Sequence, residues 1–86
     1  MSYKIKLYIA GHLAAITHRT DTLSNVLSCA RKTATLLSEN PERVKICVID
    51  AEGNVLMTYV CGNKPKAMYT VIDHVNKERK TYYTGA

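Results

Sequence analysis

No run in the 86 residues approaches the roughly 18 consecutive apolar positions that a membrane-spanning helix requires. There is no C-x-x-C pair and no close pair of histidines with which a tetrahedral metal site could begin. The three cysteines, Cys29, Cys47 and Cys61, are odd in number, widely spaced and set among apolar or small neighbours. That is the pattern of free, buried thiols in a reducing compartment and not of a disulfide framework. Glycine is scarce, and Gly62-Asn63-Lys64-Pro65 lacks both the spacing and the Lys-Ser/Thr ending of a phosphate loop. Carboxylates are also few: Asp50 and Glu52 share a turn, while Glu39 and Glu42 flank a helix end. Neither pair is placed for glycoside or metal chemistry. His12, His18 and His74 are of the residue type that acid–base chemistry most often recruits, and none stands beside a serine, cysteine or carboxylate in a nucleophile motif. These absences lead us to expect a protein that is not an enzyme and that holds no cofactor and no metal.

What is present is the composition of an ordinary globular protein, 47% hydrophobic and 22% charged. The length allows one core. A chain this size hides only about 60–65% of the surface its unfolded form exposes, so its stability is modest unless an oligomer or a partner covers more. Twelve Lys and Arg against seven Asp and Glu give a formal charge of +5 and a pI of about 9.2. Such a balance favours acidic or phosphate-bearing partners. The stretch Lys4–Ile16 mimics a signal peptide in having lysines ahead of an apolar run, but His12 interrupts it and its alternation is that of a strand. The cytoplasm is the expected location.

From Tyr3 to Ile9, Lys4, Lys6 and Tyr8 alternate with Ile5, Leu7 and Ile9, which is the period of a half-buried strand. Ala10, Gly11 and His12 supply a turn, and the chain returns through Leu13 to Arg19. Thr20 and Asp21 are good helix caps, after which Leu23, Val26, Leu27, Ala30, Ala34 and Leu37 recur at helical spacing. Asn40-Pro41 stops this helix. Val44–Ile49 and Val55–Cys61 form a second hairpin around a turn containing Gly53. Pro65 then opens a second helix running to about Lys80, with Met68, Val71, Ile72 and Val75 on its apolar face. The expected fold is α+β: a four-stranded antiparallel sheet from two hairpins with two amphipathic helices, in the order ββαββα. The domain spans 1–80, and 81–86 is a loose tail.

Three surfaces are candidates for binding. Tyr3, Lys4, Lys6 and Tyr8 combine aromatic rings with lysines along the first strand, a pattern used by base-stacking platforms and also by protected edge strands. Lys64, Lys66, Tyr69, Lys77, Arg79 and Lys80 give the second helix a basic, tyrosine-bearing end able to grip an acidic surface or phosphates. The second hairpin is apolar on both faces, so Cys47, Ile49, Val55, Met57 and Tyr59 call for cover by a helix, a partner or a second copy of the chain.

The hairpin Tyr3–Arg19, the long helix Thr22–Glu39 and the hairpin Val44–Cys61 together resemble small accessory proteins of phages and mobile elements, some anti-CRISPR proteins among them. The likeness is one of pattern over about two thirds of the chain. It implies a non-catalytic inhibitor or adaptor, phage-encoded, that occupies a surface of a larger host protein or nucleoprotein complex. The basic charge argues against mimicry of DNA. A small RNA- or DNA-binding module and a structural homodimer are the alternatives.

Overall fold

A computed structural model describes residues 1–85. Two β-strands, β1 (Ser2–Ile9) and β2 (His12–Thr20), are followed by one helix, α1 (Leu23–Leu36), and four further strands, β3 (Val44–Ile49), β4 (Val55–Cys61), β5 (Met68–Asp73) and β6 (Glu78–Tyr83). All six strands belong to one antiparallel sheet in the order β2-β1-β3-β4-β5-β6.

The first hairpin forms around Ala10 and Gly11, both at positive φ (53° and 83°), the geometry of the two-residue turn whose twist matches that of paired strands. Helix α1 is capped by Thr22, whose hydroxyl accepts the Asn25 amide at 3.2 Å, rather than by Thr20 or Asp21. Asp21 supports the same end by accepting from the Thr22 amide and the Asn25 side chain. The helix ends at Leu36, four residues before Asn40-Pro41.

Helix α1 lies on one face of the sheet, over its middle strands. Its apolar stripe, Val26, Ala30 and Ala34, is fully buried against Tyr3 and Ile5 of β1, Val44, Ile46 and Val48 of β3, Tyr59 and Cys61 of β4 and Tyr69 of β5. The two alanines let the helix backbone approach the sheet closely, and the β-branched Val44, Ile46 and Val48 suit a strand buried in the centre.

The expected four-stranded sheet with two helices is overturned in its last third. Residues read as a second helix form β5 and β6, so the order is ββαββββ. Met68, Val71, Ile72 and Val75 do fall at helical spacing. The run Met68-Tyr69-Thr70-Val71-Ile72, however, is rich in aromatic and β-branched residues, and β4 offers it an unpaired edge. The Asp73 carboxylate then accepts from the Val75 and Asn76 amides, and Lys77 takes a positive φ of 56°, reversing the chain where a helix would continue.

Thr81–Tyr83, expected to be loose, completes β6. The Thr84 amide donates to the Ala67 carbonyl at 2.8 Å, and the Thr84 hydroxyl donates to Ser38 at 2.8 Å. Ala86, the end of that expected tail, lies outside the described residues. No helix among the described residues is long and apolar enough to cross a membrane.

Gly62 fastens the exit of β4. It has φ +76°, and a Cβ there would overlap the Glu42 carbonyl oxygen and stand 3.2 Å from that of Asn40. The next amide, of Asn63, donates to the Asn40 carbonyl at 2.8 Å. Only glycine allows the two segments to pass so closely.

Candidate functional site: the uncovered face of the sheet

Among the described residues, no second layer covers the face of the sheet opposite α1. Residues paired across neighbouring strands point to the same side, so the register gives its composition row by row. One row runs His18, Lys4, Ile49, Val55. The next runs Ile16, Lys6, Cys47, Thr58, Ile72, Arg79. The third runs Leu13, Tyr8, Lys45, Val60, Thr70, Thr81, and Met68 beside Tyr83 closes the far corner.

Two properties emerge from this arrangement. The centre, on β3 to β5, is built of Cys47, Ile49, Thr58, Val60 and Ile72, whereas cations stand around it at Lys4 and Lys6 on β1, Arg79 on β6 and Lys45 near the start of β3. No row contains a carboxylate. The acidic strand residues Asp73 and Glu78 pair with each other in line with Met57, on the helix side. The strand sequences thus sort charge by face, and the protein's cationic excess is concentrated where no helix covers it.

Cys47 and Ile49 are only 8% exposed although no layer lies above them. They stand directly beside Lys6 and Lys4, whose long aliphatic stems can shade such neighbours while the ammonium groups stay in water. The Lys45 ammonium sits 4.7 Å from the centre of the Tyr8 ring, and that of Lys66 sits 6.0 Å from the Tyr83 ring. Between these ends lie two separate hydrogen-bonded polar groups. The Thr58 hydroxyl lies 2.8 Å from His74 Nε2 and 3.9 Å from Cys47 Sγ, and the Thr70 and Thr81 hydroxyls are 3.0 Å apart. Thr58 is itself buried, and with both neighbours it ties the centre of the face together.

The other side of the sheet has a groove of about 510 Å³ between α1 and β6, lined by Ser24, Ser28 and Arg31 and floored by Tyr59, Tyr69 and Tyr82. Tyr69 and Tyr82 stack at 5.3 Å, and Tyr59 meets Tyr69 at 6.3 Å. Burial pushes the Tyr59 hydroxyl's pKa up, so it remains a donor, to the Leu27 carbonyl at 3.4 Å. The sequence does not disclose this groove, because the spacing of Met68, Val71, Ile72 and Val75 points to a helix where β5 and β6 form its floor.

The three expected surfaces fare differently. Lys4, Lys6 and Tyr8 share the uncovered face, but Tyr3 points the other way and is buried in the core. Lys64 and Lys66 lie in the β4–β5 connection and Lys77 at the opposite end of the β5–β6 hairpin, so they do not meet. Arg79 lies on the uncovered face, while Lys80 pairs with Val71 and Tyr69 with Cys61 on the helix side. The proposed cover surface is split as well. Cys47, Ile49 and Val55 belong to the uncovered face, whereas Met57 and Tyr59 pack into the core beneath α1.

The three cysteines are free, and burial raises the Cys61 thiol to about 11. No group of three His, Cys, Asp or Glu among the described residues is placed to hold a metal ion. Comparison with protein-family models, with curated proteins and with solved structures gives no match for this chain.

Proposed function

We propose that this protein is a small non-catalytic binding module, an inhibitor or adaptor, whose uncovered sheet face docks on an acidic protein surface of a larger assembly. The observation that supports this reading is the combination of an apolar centre with cations around it, and no carboxylate in its strand rows, on the one face that no described residue covers. Protein interfaces have this anatomy, with apolar groups excluding water at the centre and charges at the rim setting orientation and association rate.

Two details favour protein over single-stranded nucleic acid. A base-stacking platform presents its aromatic rings on neighbouring strands, whereas Tyr8 and Tyr83 here stand on β1 and β6, separated by three strands. The Tyr8 ring is also already occupied by the Lys45 ammonium. Face-to-face self-association is disfavoured by charge, since it would bring the lysines of two copies together. The phage-encoded origin implied by the resemblance agrees with such a role.

The test compares three tagged proteins in capture from bacterial lysate: the wild type, a Lys4→Glu/Lys6→Glu/Lys45→Glu variant, and a Lys32→Glu control on the exposed side of α1. A stoichiometric protein partner retained by the wild type and the control, but lost by the triple variant, is the expected result. Equal capture by all three, or binding of short single strands with a steep salt dependence and no protein partner, would refute the reading.

A further inference from the structure

One helix cannot roof the whole of this sheet. Six strands about 4.8 Å apart span about 24 Å, more than twice the roughly 10 Å width of a helix. The two margins on the helix side are finished differently. Toward β2, Arg19 Nη1 reaches across to Cys29 Sγ at 3.7 Å and joins that strand to α1. Toward β6, no hydrogen bond among the described residues ties strand to helix, and the groove of about 510 Å³ is what remains.

The floor of this groove is a stacking platform. Tyr59, Tyr69 and Tyr82 stand on three adjacent strands, β4, β5 and β6, with the Tyr69 and Tyr82 rings stacked at 5.3 Å and 25° from parallel. Rings on neighbouring strands are the arrangement that the uncovered face lacks. Helix α1 leaves only the last of them open: Tyr59 is 4% exposed, Tyr69 7% and Tyr82 44%. That is room for one base and not for a run of bases.

The wall opposite supplies donors. Ser24, Ser28 and Arg31 are four and three residues apart, so they share one side of α1, and all three line the groove. None of these side chains has a hydrogen-bond or ion-pair partner among the described residues. No carboxylate lines the groove, and Asp73, two residues beyond Val71 on β5, is already held by the Val75 and Asn76 amides. A guanidinium fork with two hydroxyls matches the three oxygens of a phosphate monoester better than the two of a carboxylate.

We propose that this groove binds a nucleoside monophosphate, with its base against Tyr82 and its phosphate on Arg31, Ser24 and Ser28. A volume of about 510 Å³ is within the range of small-ligand sites. The groove lies on the opposite side of the sheet from the docking face, and its occupancy does not depend on what that face binds.

Amide NMR titration of the full chain with AMP, adenosine, phenyl phosphate and inorganic phosphate tests this. The same titrations are run on Arg31→Ala, Tyr82→Leu and a Lys32→Ala control, with circular dichroism to confirm folding. Arg31 is exposed and unpaired among the described residues, so its removal leaves the fold intact. AMP is expected to saturate with a Kd below about 1 mM, shifting the amides of Ser28, Arg31 and Tyr82. Adenosine, inorganic phosphate, Arg31→Ala and Tyr82→Leu should each weaken binding about tenfold or more, and Lys32→Ala should not. Absence of saturation by AMP at about 10 mM would overturn the proposal. So would an equal loss in Lys32→Ala, or shifts centred on Lys4, Lys6 and Lys45. Phenyl phosphate binding as tightly as AMP would overturn the assignment of a base.

Discussion

Replacing Gly62 with alanine isolates one close approach on which the architecture depends. Gly62 and Gly53 both sit at positive φ, +76° and +88°, so alanine at either site meets the left-handed region, which costs an L-residue about 1–2 kcal/mol. Both substitutions also stiffen the unfolded chain to a similar extent. They differ in what the new methyl meets. At Gly53 nothing lies within 4 Å, whereas at Gly62 it overlaps the Glu42 carbonyl oxygen, a backbone atom held by the α1–β3 connection. Overpacking of this kind adds about 1–3 kcal/mol. The expected losses are therefore about 1–2 kcal/mol for Gly53→Ala and about 2–5 kcal/mol for Gly62→Ala. With a urea slope of about 1 kcal/mol/M for so small a domain, the midpoint should fall by about 1–2 M in the first variant and about 2–5 M in the second. Urea titration followed by circular dichroism measures both. Equal midpoints for the two variants would refute the argument that the Gly62 contact holds β4 against the helix–strand connection.

Other expectations follow from the ionisable groups. Asp21, Asp50 and Asp73 are each held below the usual carboxylate range, first by hydrogen bonds from the Asn25 side chain, the Asn54 amide and the Asn76 amide respectively. Their folded-state pKa values lie below the unfolded ones, so the stability they contribute is present above about pH 4 and is lost as pH falls through the folded values. Melting temperature should drop on acidification below about pH 4, and an Asp50→Asn variant should show a shallower drop; an unchanged acid profile would contradict the turn-capping role. Cys61, buried and raised to about 11, should resist iodoacetamide at about pH 8 in the folded protein, while the partly exposed Cys29 is alkylated. Mass mapping of the labelled peptides reads the order, and labelling of Cys61 ahead of Cys29 would mean that the β4 core is open.

How much of this was legible beforehand differs by segment. Lys4, Lys6 and Tyr8 were placed on an outward face by alternation alone, because a strand with one buried side writes its burial into every second residue. Helix α1 and the strands of the second hairpin were readable for the same reason, as local periodicity sufficed. Met68–Tyr83 was not, since Met68, Val71, Ile72 and Val75 satisfy helical spacing while their actual state depends on pairing with β4, a non-local contact. The helical spacing thus hides a third of the candidate site: Ile72, Thr70 and Arg79 join the uncovered face only through the pairing of β5 and β6. It also obscured why the second hairpin is apolar on both sides. Its strands are the centre of a six-stranded sheet, roofed by α1 on one side and flanked in register by β1 lysines on the other. The pairs Asp21/Asn25, Asp50/Asn54 and Asp73/Asn76 each mark a chain reversal or helix start, and the last of them was the signal against a second helix.

The central claim, that the uncovered face is the contact surface, is tested most directly by lysine footprinting of the chain alone and in complex with its captured partner. Acylation with an amine-reactive reagent, read by mass spectrometry, should be suppressed in the complex at Lys4, Lys6 and Lys45 and unchanged at Lys32 on α1 and Lys80 on the helix side of β6. Protection of Lys32 and Lys80 with Lys4, Lys6 and Lys45 still reactive would contradict the account and move the contact to the tyrosine-floored groove.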